Sequence, residues 1–324
     1  MIITKTPLRI SFFGGGSDIP EFYNNNEGIV LSTTINSYIY ISLNKCVANH
    51  LKVIYSELEH ETDIEKIKHN IVRESLKYFD FLNNIEICSF SDVPTKGTGL
   101  GSSSTYTVGL INALYRLKYN KNIEHQELAE LASFIEIIKC ISPIGKQDQY
   151  AAAYGGLNIF NFEHNKVRVK PISVDYTNII ELDNNLHMFN TGINREASSV
   201  LTEQVDNLKN NINVALTKSM VELAKNAIHL LERGKVNDFG NLLDQAWMIK
   251  KKLSSNVSNP HIDEMYHRAM NNGALGGKIL GAGGGGYLLI YCPSKERNRL
   301  MTAMSKYQYF DFKFSKHGST VEVV

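Results

Sequence analysis

"VPTKGTGLGSSST", residues 93–105, places Gly97, Gly99 and Gly101 before three consecutive serines and then runs into the apolar segment "YTVGLINALYRL", residues 106–117. A helix start offers unpaired N–H groups and the positive end of the helix dipole. Glycines that let an anion approach, followed by small hydroxyl residues in the first turn, therefore suit a phosphate. Ser102, Ser103 and Ser104 also offer oxygens to a divalent cation. A Walker A loop is excluded, because Ser102 stands where the lysine after the final glycine should be. The competing reading is a turn that only caps the helix behind it.

Around this stretch the chain has 324 residues and is 43% hydrophobic, enough to bury a sizeable core in one large domain or two ordinary ones. Lys plus Arg number 34 against 33 Asp plus Glu, which disfavours nucleic acid or an anionic membrane as partner while leaving room for a local pocket for a small anion. Cys46, Cys88, Cys140 and Cys292 lie far apart without a C-x-x-C pair, and are expected as reduced core thiols. The start "MIITKTPLRISFF" alternates like a strand and unlike a signal peptide. No apolar run approaches the roughly 18 residues that span a bilayer, so the expectation is a soluble cytoplasmic protein.

Strand patterns occupy 2–12, 37–47 and 51–55, and a helix is expected over "DIEKIKHNIVRESLKYF", residues 63–79, with Asp63 as N-cap. "NIEICSF" is a strand leading to the quoted loop, followed by helices at 103–118 and 124–138 and strands near 156–162 and 166–172. Residues 195–272 read as almost wholly helical, with breaks near Gly234 and Pro260, before strands return at 286–291 and 319–324. Strands, a helical block and closing strands make the fold class α+β. A division into residues 1–180 and 181–324 is expected.

Two further glycine clusters flank the first. "PLRISFFGGGSD", residues 7–18, ends a strand in three glycines bracketed by Arg9 and Asp18. "KILGAGGGGYLLIYCP", residues 278–293, formally satisfies G-x-G-x-x-G, but a strand follows the glycines where a dinucleotide fold needs a helix. A strand-to-strand turn against another loop's ligand is expected instead.

In this order the three clusters resemble the motifs of the GHMP kinase family, from residue 7 to residue 286. The resemblance implies a two-domain fold, with an N-terminal part like domain 2 of ribosomal protein S5 and an α+β C-terminal part carrying the helical block. It makes the 93–105 stretch the ATP phosphate loop, formed by Lys96, Gly97, Gly99, Gly101, Ser102, Ser103 and Ser104. "RISFFGGGSD", "PIGKQDQYAAAYGGLNIFNF" (143–162) and "NTGINREASSVLTEQ" (190–204) resemble the branch of bacterial D-glycero-D-manno-heptose 7-phosphate kinases and, more distantly, fucokinases. Galactokinases and mevalonate kinases carry different first motifs.

Phosphoryl transfer asks a protein mainly for positioning and charge compensation. By the resemblance, Asp148 is the general base for the anomeric hydroxyl and Arg9 the cation beside it. Glu136 is the Mg²⁺-binding carboxylate, joined by Ser103 or Ser104; its neighbours Phe134, Ile135 and Ile137 do not fix which helix face it occupies. Asp18, with Gly15, Gly16 and Ser17, would hold the sugar. A phosphate already on the sugar needs a second anion pocket, for which Arg195 is the first candidate and Lys146 the second. The implied cofactors are ATP and Mg²⁺ and the partners are small molecules, a sugar phosphate and ATP, with no nucleic acid and no membrane; a homodimer is left open. The alternatives are a free-sugar 1-kinase such as a fucokinase, or a silent sugar and ATP sensor.

Overall fold

The computed structural model describes residues 1–94, 97–164, 166–194 and 198–324, with backbone only for residues 198 and 199. Its strands are β1 (Ile2–Phe13), β2 (Gly28–Lys45), β3 (Leu51–Ile54), β4 (Leu58–Glu61), β5 (Ile85–Ser91), β6 (Asn158–Glu163), β7 (Lys166–Pro171), β8 (Leu186–Asn190), β9 (Gly276–Ile279), β10 (Tyr287–Tyr291), β11 (Tyr309–Phe310), β12 (Phe314–Ser315) and β13 (Thr320–Val323). The helices are α1 (Pro20–Tyr23), α2 (Asn70–Tyr78), α3 (Ser102–Tyr119), α4 (His125–Ser133), α5 (Gln147–Tyr154), α6 (Tyr176–Asn185), α7 (Ser198–Lys209), α8 (Val214–Glu232), α9 (Val236–Lys250), α10 (Pro260–Met270) and α11 (Arg297–Ala303).

One sheet runs β13-β1-β2-β5-β3-β4, with β6, β7 and β12 attached through β2, and a second runs β11-β8-β10-β9. The α+β expectation holds. The last strands return to the first sheet, Ile2 of β1 pairing with Val323 of β13 and Thr34 of β2 with Ser315 of β12. The expected 181–324 unit therefore does not keep its final residues to itself.

Helix α3 is buried along most of its length and packs on β1 and β2. Register shifts between Pro7 and Arg9 and between Ser11 and Phe13 break the alternation of β1. Such bulges re-aim side chains, and here Arg9 is buried beside Leu8 and Ile10. Phe12 and Phe13 meet Phe239 of α9 edge-on, at centroid distances of 5.4 and 5.0 Å, so one hydrophobic core joins the helical block to the first sheet. A cavity lined by Arg9 and Ser11 of β1 and by Met220 and Lys250 of the helical block lies on this seam.

The helix expected over 63–79 is interrupted. Asp63 caps a short 3-10 turn, Ile64–Lys66, and α2 restarts behind His69, whose ring accepts from Val72 N–H. Of the four cysteines, all free, only Cys292 is buried; Cys46, Cys88 and Cys140 are half-buried and are not core thiols. No described helix is long and apolar enough to cross a membrane.

Candidate active site

The loop before α3 is fixed from two sides. Arg9 N–H of β1 donates to Leu100 O at 3.1 Å, and Tyr287 N–H of β10 donates to Thr98 O at 3.2 Å. Gly99 has φ +77°, and a Cβ there would lie 2.4 Å from Leu280 O, so only glycine lets the two loops touch. The residue 281–286 turn joins β9 to β10, which is the strand-to-strand arrangement expected of the third cluster. Gly101 is the N-cap of α3, and Ser102 to Ser104 form its first turn. The unpaired N–H groups of that turn open on a cavity of about 270 Å³, lined also by Gly97, Gly15 and Gly16.

Glu136 occupies a π-helical turn, Phe134–Lys139, that continues α4. The wider turn rotates it inward, a register that helical spacing does not reveal, and leaves it 1% exposed. Ser103 Oγ donates to one carboxylate oxygen at 2.7 Å and Gln149 Nε2 to the other at 2.6 Å. Burial raises its pKa, against hydrogen bonds from Ser103, Ser104 and Gln149 that lower it. No cation pairs with Glu136 among the described residues. A buried carboxylate and a serine hydroxyl beside the open start of α3, with no counter-charge among the described residues, fit a hard, oxygen-preferring Mg²⁺.

Asp148 lies in the first turn of α5 without capping it. Arg9 grips it with both arms, Nε to Oδ1 at 2.7 Å and Nη2 to Oδ2 at 2.6 Å, while Nη1 donates to Gly99 O at 2.5 Å. Arg9 is buried, whereas the Asp148 side chain keeps 21% exposure and lines the cavity. The bidentate pair fixes the carboxylate in one orientation and leaves it open to a substrate.

Asp18 also lines the cavity, but its carboxylate is held from within. It accepts from Gly16 N–H at 3.0 Å and from the backbone N–H and Nε2 of Gln147, both at 3.1 Å. Burial, with a smaller contribution from Asp148, pushes its pKa up to about 6. A Cβ on Gly145 would fall 1.9 Å from Asp18 Oδ2, so "GKQDQ" begins with the residue that makes room for this carboxylate.

Two expected substrate ligands, Ser17 for the sugar and Lys146 for its existing phosphate, are placed elsewhere. Ser17 is fully buried, its hydroxyl donating to Gly14 O at 2.7 Å and accepting from Ile29 N–H at 3.0 Å. It locks the turn and does not line the cavity. Lys146 points its ammonium at the Tyr23 ring, 5.5 Å from the centroid, and is likewise absent from the cavity wall; its pKa is lowered by burial. Lys96 and Arg195 lie outside the described residues.

The cavity also holds residues that sequence reading missed. Leu201, Gln204, Met220 and Leu253 of the helical block form an opposing wall, and Lys250 and Lys278 form its floor. Lys250 was legible in principle. It follows Leu243, Ala246 and Trp247 at helical spacing on the buried face of α9.

Comparison with known proteins places the chain in a family. Models of the GHMP kinases N terminal domain and the GHMP kinases C terminal match residues 65–156 and 227–309. A protein of Campylobacter jejuni named D-glycero-alpha-D-manno-heptose 7-phosphate kinase is 34% identical over 98% of this chain and 97% of its own length. A crystal structure of a D-glycero-D-manno-heptose 1-phosphate kinase from Bacteroides thetaiotaomicron superposes with a TM-score of 0.83 at 22% identity, over 100% of this chain and 99% of that one. A putative sugar kinase from Campylobacter jejuni superposes at 0.76 with 30% identity, over 99% and 98% of the two chains.

Proposed function

The chain belongs to the GHMP kinase family as a sugar-phosphate kinase, and from that premise we propose that it transfers the γ-phosphoryl group of ATP to the anomeric hydroxyl of D-glycero-D-manno-heptose 7-phosphate. The product is the 1,7-bisphosphate, which would be carried to nucleotide-activated heptose such as GDP-heptose for capsule, lipopolysaccharide or other surface polysaccharide. The observation that carries the substrate is the 34% identity, over nearly the whole of both chains, to a protein named for that activity.

The site supports the chemistry residue by residue. Asp148 takes the proton of the attacking hydroxyl, and Arg9 holds the carboxylate toward it. The first turn of α3, with Gly97, Gly99 and Gly101 ahead of it, receives the nucleotide phosphates. Glu136 and Ser103 would hold Mg²⁺, which supplies charge neutralisation on the β- and γ-phosphates when bound. Ser103 is the stronger choice over Ser104, because its hydroxyl already meets a Glu136 carboxylate oxygen at 2.7 Å. Gly15, Gly16 and Asp18 face the sugar, and Arg195 remains the proposed partner of its existing phosphate. The reaction sits in the cytoplasm in this reading, where ATP is available.

A coupled ADP-release assay offering heptose 7-phosphate, unphosphorylated heptose, fucose and galactose tests it, with Asp148→Ala as control. Turnover confined to heptose 7-phosphate and lost in the variant is expected. Turnover on a free sugar would keep the kinase and remove the second phosphate pocket.

A further inference from the structure

Two lysines with no acid beside them among the described residues are buried in the cavity wall, and the chemistry above uses neither. Lys250, the last residue of α9, is 6% exposed and donates to Ile279 O at 2.8 Å and Gly281 O at 2.5 Å. Lys278 of β9 is 3% exposed and donates to Ser11 O at 3.0 Å and Phe12 O at 2.7 Å. An ammonium has three donors, so each keeps one N–H without a protein acceptor among the described residues. Burial, reinforced by Arg9, lowers the pKa of Lys278 to about 7; burial, with Lys278 and Arg9 nearby, lowers that of Lys250 well below the ordinary lysine value. Packing alone does not call for two such groups, since methionine would fill the same space without a charge to desolvate.

Their position narrows the ligand. Lys250 holds Gly281, and a Cβ on Gly281 would lie 2.6 Å from the Cα of Gly99 in the phosphate loop. Lys278 holds Ser11, whose hydroxyl donates to Gln147, the neighbour of Asp148. The pair thus bridges the phosphate loop and the base. The other described cations nearby are engaged: Arg9 holds Asp148 and Gly99 O, and Lys146 faces Tyr23. We propose that Lys250 and Lys278 are catalytic cations that bind the non-bridging oxygens of the phosphoryl group as it passes from nucleotide to sugar.

In this step the sugar hydroxyl gives its proton to Asp148 and its oxygen bonds to the γ-phosphorus. The bond from that phosphorus to the β,γ-bridging oxygen breaks, its electron pair leaving on ADP. The phosphate oxygens raise the lysines' pKa again once bound, so both stay protonated through the step and offset charge on the transferring group. The inference rests on ATP-dependent transfer to a sugar and is independent of which sugar accepts.

Lys250→Met and Lys278→Met, made in the full chain, test it with whichever acceptor the wild type turns over. A wild type inactive on heptose 7-phosphate would sink the substrate reading; equal wild-type and variant behaviour would sink this one. Loss of one preorganised charge contact predicts a fall in kcat of about 10²–10³-fold for each variant. Both KM values and the calorimetric affinity for Mg·ADP should stay within about threefold, the pattern of an interaction made only in the transition state. The thermal shift produced by aluminium fluoride added to Mg·ADP and acceptor should vanish, while retained Mg·ADP binding shows that the variant is folded. Unchanged kcat and an intact aluminium fluoride shift would overturn the proposal. A raised KM for the sugar phosphate at unchanged kcat would also overturn it, assigning the lysines to the resident phosphate. Lys250→Gln and Lys278→Gln give the same readings should a methionine variant fail to fold.

Discussion

The two sides of the cavity solve opposite electrostatic problems with neutral groups. On the side of the first sheet, the carboxylates of Glu136 and Asp18 are stabilised by a hydroxyl, side-chain amides and backbone N–H groups. On the side of the second sheet, Lys250 and Lys278 are stabilised by backbone carbonyls. Full ion pairing occurs where the sides meet, at Arg9 and Asp148. Buried charges of both signs that are kept apart cost folding energy, and a ligand bringing a cation to one side and phosphate to the other relieves both. The protein is thus less stable empty than its core would allow.

The seam carries the largest expected effect. Asp148→Asn keeps the size of the side chain and removes the proposed base, so the single-turnover rate constant should fall by about 10²–10⁴-fold. A fall below tenfold would mean that the paired carboxylate only positions Arg9.

Next comes the lysine side. Lys278 has a pKa of about 7 in the folded protein against an ordinary 10.5. Between those values the unfolded chain holds a proton that the folded chain has released, so stability rises with pH across that window, and the penalty is largest below about pH 7. Lys278→Met should remove that slope and stabilise the ligand-free protein at neutral pH by a few kcal/mol, on the order of the shift. Urea unfolding from pH 6 to 10 checks both; identical slopes would show that Lys278 is solvated.

On the acid side, Glu136→Gln should raise the Mg²⁺ concentration for half-maximal rate by at least about 10–100-fold, since outer hydrogen-bonding partners of a metal ligand already act on that scale. It should also raise the melting temperature without Mg²⁺, because the buried carboxylate has a raised pKa and its ionised form opposes folding at neutral pH. An unaltered Mg²⁺ requirement would remove Glu136 from the metal site. The smallest effect lies off both sides. Ser17→Ala leaves Ile29 N–H without its acceptor and should cost about 1–2 kcal/mol, with KM for the sugar unchanged. A raised KM would return Ser17 to the substrate site.

Much of this was readable in the chain, for stated reasons. Three glycine clusters mark backbone that must approach other backbone or a ligand, and all three reach one cavity through Gly15, Gly99 and Gly281. The helical block and its breaks follow from apolar periodicity and turn residues. What stayed hidden depends on tertiary register. The π turn that buries Glu136 leaves no periodic mark, and the bulges in β1 that aim Arg9 follow from pairing with β2. Ser17 and Lys146 look like ligands in a linear motif but turn toward Ile29 and Tyr23. Lys250 and Lys278 draw no functional reading from the sequence, although Lys250 continues the apolar stripe of α9 and Lys278 opens the third glycine cluster.

The most direct measurement is ³¹P NMR of the wild type turning over heptose 7-phosphate with Mg·ATP. A new phosphorus signal split by the anomeric proton, growing in step with ADP and absent with Asp148→Asn, is the predicted result. ADP formed without such a signal, or a new phosphorus coupled to any other sugar proton, would contradict the assignment of Asp148 as base for the anomeric hydroxyl.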